Sequence, residues 1–171
     1  ASTSYSGGAP TGGDFGVDAV SSSADGRYSV FLSDATNLVK SDTNNQADLF
    51  ARDNQTGVTK RLNVGPRGEQ SNGSVVQLAV PPETCLLCDG AGVPVPPVVS
   101  ANGRFVAFLT SATNLTPGDV NPGADVYVLD RDADGNGVFD EVGTTSYRVV
   151  NRRAAVGKPI DQLVSQGSVY S

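Results

Sequence analysis

A chain of 171 residues, 38% hydrophobic and with a net charge of −6, can bury one domain core but is too acidic to bind a nucleic-acid backbone, which needs clustered Lys and Arg. It contains no His, so Ser-His-Asp and Cys-His catalysis cannot be assembled within it. No apolar run approaches the roughly 20 residues of a membrane helix, and abundant Gly, Pro, Ser, Thr, Asn and Asp predict turns and short strands instead of helices.

The chain starts at Ala1 and has no Met, which reads as an exported, extracellular or cell-surface protein with its leader removed, although a shortened chain would look the same. Residues 1–14, with Gly7, Gly8, Gly12 and Gly13 among Ser and Thr, make a flexible arm that either stays disordered or orders by docking on another copy. Strands are then predicted at Val17–Ser21, Arg27–Leu32, Ala47–Arg52 and Thr59–Val64, with turns at Asp25-Gly26 and Asn54-Gln55-Thr56-Gly57. The polar loop between the second and third strands, with Asn37, Asp42 and Asn44 and then Asp48 beyond it, is expected to hydrogen-bond its own backbone. A weak cation site there is the lesser reading.

The same pattern then returns. Ser-Ala-Asp-Gly-Arg-Tyr at Ser23–Tyr28 becomes Ser-Ala-Asn-Gly-Arg-Phe at Ser100–Phe105, Ala35-Thr36-Asn37-Leu38 recurs as Ala112-Thr113-Asn114-Leu115, and Asp53 recurs as Asp130, all 77 residues on. Strands are predicted in this copy at Val95–Ser100, Arg104–Leu109, Asp125–Leu129 and Ser146–Asn151. Residues 74–97 precede it as a Pro-rich insertion carrying Cys85-Leu86-Leu87-Cys88, and Arg131–Gly143 interrupts its last hairpin.

Over Ser23–Arg61 and Ser100–Arg148 these motifs resemble the blade repeats of TolB-type, WD-repeat-like β-propellers. The resemblance implies an all-β protein of four-stranded antiparallel blades: blade 1 at residues 15–73 and blade 2 at 98–171. Propellers close with about 4–8 blades, and two such units leave sheet faces and strand edges open. Self-assembly with other copies, into an oligomer or a filament, is therefore expected, with Val75–Val80 and Gln162–Tyr170 as spare strands. A piece of a larger cell-envelope propeller that binds a peptide or glycan is the alternative.

Asp130-Arg-Asp132-Ala-Asp134-Gly135-Asn136-Gly-Val-Phe-Asp-Glu141 fills every fixed position of a twelve-residue calcium loop. Alternate side chains converge hard oxygens, Gly135 permits the turn, and Glu141 closes the shell. Oxygen donors without His or Cys select Ca²⁺. The flanks are strands, so the expected role is rigidity and not a helix-opening switch; an unloaded acidic hairpin tip is the bland alternative. Cys85 and Cys88 read best as a local disulfide in an exported chain, with a bond to another copy left open. The acidic residues form no acid/base dyad in an apolar pocket, so the expected role is non-enzymatic.

Overall fold

The computed structural model describes residues 9–11, 20–76, 78–80, 93–119 and 123–151. Among these there is no helix: the chain forms one four-stranded and one five-stranded antiparallel sheet and a separate two-stranded ribbon. The first sheet runs β1 (Val20–Ser22), β2 (Tyr28–Ser33), β3 (Asp48–Asp53) and β4 (Thr59–Arg61), each beside its sequence neighbour. Gly26, in the left-handed conformation with φ 70°, makes the β1–β2 turn, as Gly103 does at φ 80° in the second copy.

In the second sheet β9 (Phe105–Thr110) pairs with β10 (Asp125–Asp130), which pairs with β11 (Ser146–Val149). The registers of the two sheets match: Val30 faces Ala51 across β2 and β3, and Ala107 faces Val128 across β9 and β10. The other edge of β9 is shared. Residues Val98–Val99 (β8) pair with Ala107 and Val106, and Val75–Val76 (β5) pair with Leu109 and Thr110. Pro96 and Pro97, which have no N–H to donate, stop β8 from extending, and β5 takes the edge beyond it. Val75–Val80 is therefore not a spare strand: β5 joins the second sheet, and Leu78–Val80 (β6) pairs with Val93–Val95 (β7). Gln162–Tyr170, Cys85 and Cys88 lie outside the described residues.

The two sheets pack face to face, and among the described residues they form no closed ring. Val30, Leu32, Leu49, Ala51 and Leu62 of the first meet Val106, Phe108, Tyr127, Leu129 and Tyr147 of the second in one buried cluster. Period-two alternation selects these side chains, and burying each large one contributes about 1.5–3 kcal/mol. A smaller cluster, Phe31, Ala35, Leu38 and Phe50, fills the far side of the first sheet.

The far side of the second sheet is different. Phe105, Ala107, Leu109, Val126 and Val128 correspond in the repeat to Tyr28, Val30, Leu32, Leu49 and Ala51, four of which are at most 4% exposed under the second sheet. Yet Phe105 is 42% exposed and the other four are only partly buried. With Val76, Pro96 and Val98, several of them line an apolar groove of about 170 Å³.

Candidate metal loop and the clamp between the sheets

Asp130 ends β10 and belongs first to the sheet. Its two oxygens take Nε and Nη2 of Arg104 at 2.7 and 2.8 Å, and Asp53 takes the corresponding fork of Arg27 at 3.4 and 3.0 Å. In both, the guanidinium bond holds the carboxyl below its ordinary range. The copy without a loop makes the same pair, so the repeat alone accounts for Asp130.

The other expected ligands lie beyond it. Asp132 is buried, and both its oxygens accept the Gly137 N–H, at 3.3 and 3.2 Å. Asn136 Nδ2 donates to Asp134 Oδ2 at 2.9 Å and Glu141 Oε2 at 2.8 Å, so one amide draws two carboxylates together. Gly135 and Gly137 are both left-handed, with φ 70° and 85°. Among the described residues no group of three or more His, Cys, Asp or Glu side chains stands close enough to hold a metal ion. The structure thus brings Asp134, Asn136 and Glu141 together, folds Asp132 over the Gly137 amide, and commits Asp130 to Arg104. The sequence contains a second frame for the start of the loop: Asp132-Ala-Asp134-Gly-Asn136-Gly137 also satisfies D-x-[DN]-x-[DN]-G, without Asp130.

The remainder of the insertion is a clamp that sequence reasoning missed. Arg131 is 2% exposed, with Nε and Nη2 on the Asp140 carboxylate at 2.9 and 2.5 Å and Nη1 on Gly103 O at 2.7 Å. Its guanidinium carbon lies 4.7 Å from the Tyr28 ring centre and 5.0 Å from that of Phe139, and the two rings are 5.2 Å apart. Lys60 of β4 donates to Phe139 O at 3.0 Å and Asp140 O at 3.1 Å. The loop inserted in the second sheet is therefore fastened to the first.

Tyr147 adds a second fastener. It stands opposite Leu129, where Thr59 stands opposite Arg52, and its hydroxyl lies 2.5 Å from Leu62 O and 2.8 Å from Val64 O while accepting the Val64 N–H at 3.1 Å. Burial pushes this phenol well above its ordinary range. Asp140, at φ 59°, occupies a left-handed conformation that Asp and Asn tolerate better than most residues.

The Asx-rich loop of the first copy is structural. Asp48 is fully buried and accepts from Arg61 Nη1 at 2.9 Å, Asn63 Nδ2 at 2.7 Å and Asn44 Nδ2 at 3.2 Å, and Arg61 also reaches Asp42 at 3.0 Å. Burial, reinforced by Asp48, raises the Asp42 carboxyl above its ordinary value against the pull of Arg61. Asn37 ties down the arm: its Oδ1 accepts the Thr11 N–H at 2.8 Å and its Nδ2 donates to Ala9 O at 3.0 Å. Residues 9–11 are thus docked on their own chain. No protein-family model matches the chain, and no curated protein or solved structure matches it.

Proposed function

We propose that the protein is a non-enzymatic structural subunit that self-assembles outside the cell by stacking propeller-like blades, with a calcium ion stiffening the loop that joins its two blades. One observation carries this reading. The five apolar residues of the second sheet that repeat the buried face of the first are left partly open, so the chain carries a packing face whose natural partner is another sheet of the same kind. Such a contact joins unlike faces, and unlike-face contacts propagate into rings or filaments instead of closing as a twofold dimer.

Calcium fits the loop in part. Asp132, Asp134, Asn136 and Glu141 supply the oxygen donors, with Asp130 left to Arg104; the Asn136 amide that now bridges Asp134 and Glu141 stands where a cation would draw the same two carboxylates. A bound ion would neutralise the Asp134 and Glu141 carboxylates that the loop brings together. The chain's own clamp, Arg131 with Asp140 and Lys60 on the loop carbonyls, passes that rigidity to the first blade.

Light scattering and negative-stain microscopy of the purified chain, with and without calcium, test the reading. Rings or filaments above a threshold concentration are expected; a cooperatively folding monomer at every concentration would refute it.

A further inference from the structure

The segment that carries the chain from the first sheet to the second sits in a socket whose parts recur in the repeat. Asn114 Oδ1 accepts the Asn72 N–H at 3.1 Å and its Nδ2 donates to Gln70 O at 2.8 Å. Asn72 in turn accepts the Thr113 N–H and donates to Thr113 Oγ1, both at 2.9 Å. Next, Ser74 O accepts from Ser111 N at 3.1 Å and Thr110 Oγ1 at 2.9 Å, and Val75–Val76 pair with Thr110 and Leu109. Between them Gly73 lies so close to the Ser111–Ala112 backbone that a Cβ would meet it at 2.6–2.8 Å. The socket thus takes an amide side chain, then an obligatory glycine, then a strand.

Thr110-Ser111-Ala112-Thr113-Asn114 has its counterpart in Ser33-Asp34-Ala35-Thr36-Asn37. There Asn37 grips Ala9 and Thr11 with the same two bonds that Asn114 makes to Gln70 and Asn72. This copy of the socket holds, among the described residues, fewer of the contacts made in the second copy, though the Thr36 N–H also donates to Thr11 O at 2.9 Å. Among the described residues no strand pairs with Leu32 and Ser33 on the edge that β5 covers in the second sheet, and Asp34 Oδ1 is buried without a hydrogen-bond partner.

The sequence contains a second segment with the required pattern. Ser165-Gln166-Gly167-Ser168-Val169-Tyr170 repeats Ser71-Asn72-Gly73-Ser74-Val75-Val76 with Ser, Gly, Ser and Val identical and one side-chain amide exchanged for the other. The Ala9–Thr11 arm, with Thr11 in the position of Asn72, has no amide there.

We propose that Ser165–Tyr170 of one copy seats in the Ser33–Asn37 socket of a second copy, displacing Ala9–Thr11, and so forms the joint of the assembly. The inference rests on the self-assembly reading above and names its contact. The crossover Ser71–Val76 delivers the sheet that covers the face of Val30, Leu32, Leu49 and Ala51, and its repeat at Ser165–Tyr170 delivers a neighbour that covers the corresponding open face of Leu109, Val126 and Val128. The first sheet of the same chain cannot do this, because it already occupies the opposite side of the second sheet. Phe31 and Phe50, the counterparts of Phe108 and Tyr127, are buried in the single chain, so joining exchanges one cover for another, as at Asn37.

Cross-linking between copies tests this. One copy carries Thr36→Cys and a second, of different tagged mass, carries Gln166→Cys, both with Cys85→Ser and Cys88→Ser; the pair Asn72→Cys with Thr113→Cys in one chain is the positive control for the geometry. Oxidation of the mixture is expected to give a covalent heterodimer, and removal of residues 163–171 from the otherwise unaltered chain is expected to reduce the particles to monomers. Particles that form in light scattering yet give no heterodimer, or that survive the truncation, would overturn the joint while leaving self-assembly standing. A cross-link obtained only when both cysteines share one chain would also overturn it. Absence of particles from the unaltered chain would overturn both readings together.

Discussion

Replacing Arg131 by Met keeps an unbranched chain of similar length between Tyr28 and Phe139 but removes the charge. It leaves the Asp140 carboxylate, 9% exposed, without its cation, and Gly103 O without its donor. Breaking a buried pair by removing one partner costs about 3–5 kcal/mol, mostly because the remaining charge is stranded. Loss of the two ring contacts comes on top of that figure, since a desolvated cation–π contact is worth about 2 kcal/mol or more, partly offset by the apolar contact that Met keeps with both rings. Domains are stable by about 5–15 kcal/mol, so the variant should lose about a fifth or more of its stability and melt at least about 6–20 °C lower, at about 2–4 °C per kcal/mol for this size. Urea unfolding followed by circular dichroism and by tyrosine fluorescence, under conditions that keep the chain monomeric, measures it. The second variant matters more. Asn is compatible with the φ of 59° at position 140, so Arg131→Met with Asp140→Asn removes both charges without backbone strain. It should be more stable than the sum of the single losses predicts, by about 1.5 kcal/mol or more. A loss below about 1 kcal/mol for the single variant, or strict additivity of the pair, would refute a buried clamp between the sheets.

Calcium at about a thousand times its dissociation constant should stabilise the chain by about 4 kcal/mol; calorimetry should show binding abolished by Asp132→Ala but retained by Asp130→Ala, and equal loss in both would return Asp130 to the ligand set. Arg27 and Arg104 hold Asp53 and Asp130 below the ordinary value of 3.8, so their contribution is complete above that value and is lost as pH falls towards the lowered folded values. Arg104→Gln should flatten that acid limb, seen in urea midpoints between about pH 5 and pH 2, whereas an unchanged limb would assign acid sensitivity elsewhere. Asp42, raised by burial, has the opposite sign: its cost appears as pH rises and it ionises, so Asp42→Asn should gain relative stability towards neutral pH in the same titration. Gly73→Ala must push apart the backbone at Ser111–Ala112; a loss of about 2 kcal/mol or more is expected in thermal melts, and a neutral result would mean that the socket yields.

The repeat was legible because its landmarks are local. Gly26 and Gly103 turn hairpins, Asn37 and Asn114 tie down the segment that enters each sheet, and alternating apolar residues assign each strand two faces. Strand positions followed to within a few residues. Val75–Val80 looked spare because the sequence shows a run fit to pair but not the edge it pairs with, and that edge was opened by Pro96 and Pro97 cutting β8 short. The candidate metal loop rests on pattern alone, and the pattern fits from Asp130 and, in its first six positions, from Asp132. Only Arg104, 26 residues upstream of Asp130, separates the two frames.

The polar fasteners between the two sheets left no periodic trace. Lys60 meets Asp140 across 80 residues and Tyr147 meets Leu62 across 85, and each contact is made by a residue that departs from the repeat. Tyr147 stands where the first copy has Thr59, and Arg131 opens an insertion the first copy lacks. In a repeated sequence the matching positions build the sheets, because the same local problem is solved twice. The unmatched ones serve contacts that occur once. The clamp between these two sheets occurs once in the chain, which is why its residues are found by subtracting one copy from the other, and why the insertion at Arg131–Gly143 reads as a fastener.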